Sequence, residues 1–169
     1  MIYRSCIAVA LLLLSSCGYH LAGHGDSGGV IPEDILTLSV EANSDTGRQM
    51  MVLLKQQLAG SDRYKVVSGK DVPDELVHAE MRIEQASESF VPSAYDQSGL
   101  ATQYRMTIQA NVRLFRQQEK LWESGIVTKS DNVFVAGGPT GIESSRKRIR
   151  EDLQKEWSYT VWDRINSGF

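Results

Sequence analysis

The sequence predicts an α+β fold, a two-layer sandwich in which a four- to five-stranded, mostly antiparallel sheet carries two helices packed on one face. Three observations predict it. Residues 104–114 alternate between apolar and polar side chains, the period of a half-buried strand. Two other segments carry apolar residues at helical spacing. Helix stripes must bury against something, and the apolar face of an antiparallel sheet is the surface this chain offers.

The elements follow in order. Ile35 to Val40 reads as a first strand, β-branched at both ends and bounded by Pro32 and by Asn43 and Ser44. Ser44 or Asp45 can cap a helix whose stripe is Met50, Met51, Leu54 and Leu58, with Gly60 placed to end it. Tyr64 to Ser68 is a short second strand, followed by a loop at Pro73 and Asp74. Met81 and Ile83 begin a strand that runs towards Phe90, and Pro92 to Gly99 turns the chain. Tyr104, Met106, Ile108, Ala110, Val112 and Leu114 form the apolar face of its partner, so the pair predicts a long antiparallel hairpin. Gln117 to Lys120 makes the next turn, and Trp122 to Thr128 returns as another strand. Ala136 to Pro139 breaks the chain. A long helix follows, with Thr140 and Glu143 at capping-box spacing. Ile149, Leu153, Trp157, Val161 and Ile165 give it an apolar stripe recurring every four residues, and Gly168 lies just past its end. Trp162 falls off the stripe's centre and is expected at the surface.

Residues 1–16 have the form of a secretory signal: Arg4 near the start, an apolar run from Cys6 to Leu14, then Ser15 and Ser16. The run is too short for a membrane span, which needs about 20 apolar residues. Leu14-Ser15-Ser16-Cys17 resembles the lipobox of bacterial lipoproteins. In that class the cysteine thiol takes a diacylglycerol, the signal is cut before it, and the new amine is acylated. Cys6 leaves with the signal, so Cys17 would be the one remaining thiol and could form no internal disulfide. Acylation accounts for it, and several acyl chains hold a protein in a membrane where one does so only reversibly. Gly18 to Gly29 is rich in glycine and poor in apolar residues, as a flexible tether is. The expected organisation is a signal at 1–16, a lipidated N-terminus and tether at 17–31, and a single α+β domain at 32–169.

Charge excludes one class of partner. Removing residues 1–16 takes away Arg4 and no acid, which leaves 17 basic residues against 21 acidic ones, a net −4. A nucleic-acid binder shows a basic excess. Gly25-Asp26-Ser27-Gly28-Gly29 matches the string around the nucleophile of trypsin-like proteases, yet only His20 and His24 precede Ser27, both within the tether. His20 and His24 have i,i+4 spacing but sit among glycines, without a helix or a third ligand to make a metal site. His78 is placed at a strand start, at or near the surface. No phosphate-binding glycine loop, zinc pattern or carboxylate pair is present, so no enzyme is expected and no cofactor beyond the acyl groups on Cys17. The densest basic patch is Arg146, Lys147, Arg148 and Arg150. Such a charge run is ordinarily a solvated helix face; the other reading is a phosphate or lipid-headgroup contact, towards which its place in the first turns of a helix, where cations oppose the dipole, points slightly.

Four features resemble the LptE family of lipopolysaccharide-assembly lipoproteins. They are Cys17-Gly18-Tyr19-His20-Leu21, the strand-helix-strand unit at 35–68, the segment Gly99 to Leu114 with Gln103-Tyr104-Arg105-Met106, and the C-terminal amphipathic helix. The resemblance implies a non-enzymatic protein anchored at the outer membrane and facing the periplasm. It implies that the domain binds and plugs a large LptD-like β-barrel and assists transport of lipopolysaccharide to the outer leaflet, touching the lipid through basic residues. Gly18 after the cysteine agrees with export to the outer membrane. The chain departs from a basic-loop pattern, because Ser93 to Gly99 carries only Asp96 as a charge. Arg146, Lys147, Arg148 and Arg150 are therefore the expected lipopolysaccharide-phosphate contact. Two rivals stand beside this reading: an auxiliary lipoprotein of another envelope transporter, and an anchored hydrolase using Ser27.

Overall fold

A computed structural model describes residues 29–68, 77–135 and 138–168, with side chains from 141 onwards in the last segment. The signal, Cys17, the tether with His20, His24 and Ser27, and the loop at Pro73 and Asp74 lie outside the described residues. The chain forms strand β1 (Thr37–Ala42), helix α1 (Asp45–Leu58), strands β2 (Lys65–Val67), β3 (His78–Tyr95), β4 (Ala101–Arg116) and β5 (Glu119–Phe134), and helix α2 (Gly138–Ser167). The strands make one mixed sheet in the order β2-β1-β3-β4-β5. β1 runs parallel to both β2 and β3, whereas β3, β4 and β5 form an antiparallel meander. α1 packs on β1 and β3, α2 packs on β4 and β5, and the helices touch one another. This is the expected α+β architecture.

One core lies between sheet and helices. Leu38, Val40, Met81, Ile83, Met106, Ile108, Val112 and Leu114 meet Met50, Leu54 and Leu58 of α1 and Leu153, Trp157, Val161 and Ile165 of α2, all buried. The expected helix stripes are the buried stripes, apart from the half-buried Met51 and Ile149. Trp162 is also half-buried against the core instead of standing free, because a stripe with four-residue spacing drifts around a 3.6-residue helix and widens the buried arc. Ser44 caps α1 by accepting from the Gly47 amide at 3.1 Å. Gly168, at φ +79°, ends α2 by donating its amide to the Arg164 carbonyl.

Several boundaries differ from expectation. β1 begins at Thr37, and Ile35 is a buried residue ahead of it. The packed unit starts before residue 32: Ile31 is buried in the core, and the Val30 amide donates to the Ile165 carbonyl at 2.8 Å. Pro92 lies inside β3, and the turn is confined to Asp96–Leu100, where Asp96 Oδ1 accepts from the Ser98 and Leu100 amides. The proline is tolerated because β1 pairs only with His78 to Ile83, so one side of β3 is a free edge beyond that point. α2 starts at Gly138, which puts Pro139 in its first turn and Thr140 inside the helix, so the Thr140–Glu143 capping box is not the start. β5 continues six residues past Thr128, to Phe134.

Two bulges explain why β3 and β5 extend further than their alternation suggests. Gln85 (φ 54°) lies where β3 gains one residue on β4, and Gly125 (φ 65°) lies where β5 does the same. Each extra residue swaps the parity of its strand. In β3 the helix-facing set changes from Ala79, Met81 and Ile83 to Ala86, Glu88 and Phe90, which remain in register with Ile108 and Met106 of β4.

Candidate functional site

The helices cover one face of the sheet and leave the other open. The open face has two chemically distinct halves, divided by the bulges. The half nearer the end of α2 is charged and internally paired. Arg82 makes two bonds to Glu80, both 2.7 Å, and its guanidinium lies 4.5 Å from the Phe115 ring centroid. Arg113 reaches Glu84 at 2.7 Å and Glu123 at 3.2 Å. Glu123 also accepts from Lys120 and from the Asn111 amide at 2.7 and 2.6 Å. These donors, Lys120 foremost, hold the Glu123 carboxyl down at about 2. His78 belongs to this half: its Nδ1 lies 3.0 Å from Thr37 Oγ1 and its Nε2 3.1 Å from the buried Ser39 Oγ. Burial pushes its pKa below the ordinary value, against the pull of Glu80. The imidazole is thus committed to the sheet's own hydroxyls.

The other half is nearly uncharged. Strand register places Ser87, Gln109 and Thr128 in one row, Ser89, Thr107 and Ser130 in the next, and Val91, Arg105 and Asn132 in a third. Arg105 is the single charge, and it reaches only Asn132 at 3.5 Å. Beyond these rows the hairpin end exposes Tyr95, Leu100 and Phe134, each more than 60% accessible.

The basic patch of α2 is divided by the fold. Arg150 donates to both carboxylate oxygens of Glu88 at 2.6 and 2.7 Å, and Arg146 reaches Glu88 at 3.3 Å. Arg146 also stands 4.9 Å from the Phe90 centroid, whose ring stacks on Tyr104 at 4.6 Å. Arg150, then Arg146, hold the Glu88 carboxyl below the usual carboxylate range in spite of its burial. Lys147 and Arg148 are exposed on the other side of the helix. Two of the four expected phosphate ligands therefore clamp the helix to β3, and two face solvent. Sequence reasoning missed Glu88 because the β3 bulge moves an even-numbered residue onto the helix face.

Among the described residues, no three His, Cys, Asp or Glu side chains gather as metal ligands, and no helix is long and apolar enough to cross a membrane.

A family model for LptE, lipopolysaccharide-assembly, matches residues 35–165, from two residues before β1 to the last turn of α2. The chain belongs to the LptE family. Solved structures with the same fold include lipoprotein B from Nitrosomonas europaea, with a TM-score of 0.62 and 14% identity over 86% of this chain and 92% of that one. A minor lipoprotein from Acinetobacter baumannii has a TM-score of 0.58 at 12% identity, covering 81% and 95%. Rare lipoprotein B from Shewanella oneidensis has 0.55 at 14% identity, covering 76% and 89%. No curated protein matches the chain by sequence. At these identities the likeness is one of fold, and the LptE assignment rests on the family model.

Proposed function

We propose that this LptE-family chain is an outer-membrane lipoprotein, acylated on Cys17, that binds and plugs a large LptD-like β-barrel and assists lipopolysaccharide transport to the outer leaflet. The observation that carries the reading is the open sheet face. A polar face on strands 16 to 18 residues long, left uncovered by its own helices, matches the polar interior of a water-filled barrel. The charged half of that face keeps its ions paired internally, so entering a confined lumen strands few charges. The nearly neutral half leaves hydroxyls and amides to bond with the wall or with trapped water. The role is one of binding, with no catalytic step.

The acyl chains on Cys17 would hold the domain at the membrane and raise its effective concentration near the barrel. We assign the phosphate contact to Lys147 and Arg148, flanked by Arg146 and Arg150 under the hold of Glu88. The two exposed cations can meet an anionic headgroup without dismantling the clamp.

The deciding experiment is affinity purification of the C-terminally tagged chain from detergent-solubilised outer membranes. A large β-barrel recovered in about equal amount is the expected result. Recovery alone, or with inner-membrane transport subunits, would reject the plug role and favour an auxiliary lipoprotein of another transporter.

A further inference from the structure

The outer edge of β5 carries a pattern that the barrel reading does not use. Sheet order leaves β5 paired on one side only, with β4, and no described segment covers its other side. From Ile126 to Phe134 the strand is regular against β4. The Val135 amide donates to the Thr102 carbonyl of β4. Backbone groups alternate sides along a strand, so the amides and carbonyls of Phe134, Asn132, Ser130, Thr128 and Ile126 point away from the sheet; in the single chain the Asn132 amide donates to Asp131 Oδ1 at 2.7 Å, a bond that pairing would exchange for one to a second strand. A free edge of this length is a template for strand addition.

The edge is complementary to itself. Placed antiparallel with Ser130 opposite Ser130 of a second copy, Lys129 faces Asp131, Thr128 faces Asn132, Val127 faces Val133, and Ile126 faces Phe134. Ile126 and Phe134 are exposed in the single chain, at 55% and 67%. Every pair then matches charge to opposite charge, polar to polar or apolar to apolar. The outward residues form the hydrogen-bonded pairs. Lys129 and Asp131 fall in the closer, non-hydrogen-bonded position, where side chains meet best. Neighbouring registers fail: centring on Lys129 sets lysine against lysine, and centring on Asp131 sets aspartate against aspartate. Centring on Thr128 or Asn132 puts both charges opposite valine or glycine. A two-fold axis through the Ser130 pair keeps both helix layers on one face of a continuous sheet, as an isologous contact requires.

We propose that two copies of this chain associate through antiparallel β5–β5 pairing centred on Ser130. The inference stands apart from the barrel reading, since it concerns the chain without its partner.

Sedimentation equilibrium of the full chain in density-matched detergent tests it. The parent chain should dimerise reversibly. K129D and D131K each set like charges across the axis twice, and each should weaken the dimer about tenfold or more. The double variant K129D/D131K restores both pairs and should return to the parent value. Oxidative cross-linking reads the register without a charge change. S130C should cross-link beyond the parent's background, because facing Cα atoms in a hydrogen-bonded pair lie about 5.5 Å apart, within disulfide reach. T128C, opposite Asn132, should not. Circular dichroism separates lost pairing from lost folding. A chain monomeric at all concentrations overturns the proposal. So does a double variant no tighter than the singles, or S130C cross-linking no better than T128C.

Discussion

The covered and open faces of the sheet are built from the same strands by opposite means. On the covered face, side chains such as Trp157, Leu54 and Met106 are wholly removed from water, and the half-buried Glu88 carboxylate is held by two arginines. On the open face, cohesion comes from ion pairs whose side chains remain roughly a quarter to two-fifths accessible, apart from the half-exposed Lys120. Burial of apolar area dominates stability, while partly exposed ion pairs contribute little after solvent screening. The covered face therefore determines whether the chain folds, and the open face is free to be shaped for a partner.

The sharpest way to break this comparison is W157A. It empties the centre of the covered face and should cost about 3–5 kcal/mol, read as a lowered urea midpoint. E88A comes next. It leaves the partly buried Arg150 without its acceptor and should cost about 1–3 kcal/mol.

The clamp also predicts an acid response. The folded Glu88 pKa lies below its ordinary value of 4.5, so its contribution is complete above that value and fades as pH falls through the lower, folded one. His78 acts in a higher window. Its folded pKa lies below 6.5, so the unfolded chain takes up the proton first and stability falls as pH drops below 6.5, levelling off under the folded pKa. Urea midpoints measured from pH 8 to 3 should show both declines, with E88Q losing the lower and H78Q the upper. A profile unchanged in E88Q would remove the clamp from the account.

Smaller effects test the open face. R113A breaks the contacts to Glu84 and Glu123 and should cost about 1 kcal/mol or less by thermal melting. The exposed pair K147A/R148A should stay within about 0.5 kcal/mol of the parent. If these cations meet lipopolysaccharide, the same variant weakens binding in a titration with purified lipid. Unchanged affinity would move the contact elsewhere.

Legibility in the sequence followed the regularity of the strands. β4 showed its faces plainly because residues 104–114 contain no inserted residue, and α2 showed its stripe because one spacing persists for four turns. β3 and β5 were legible only in part. Gln85 and Gly125 each invert the parity of their strand, so alternation read from one end contradicts the other. The basic patch was visible as composition. Its division was not, because Glu88 lies about sixty residues away and reaches the helix only through the β3 bulge.

By itself, then, the sequence determined which segments are helix and strand, which residues form the core, and the family pattern, because each depends on local period and residue type. Only the tertiary structure decided the strand order, the parallel placement of β1 beside β3, the length of β5 and the partners of the arginines. Those depend on long-range register, and a single left-handed residue within a strand is enough to reset it.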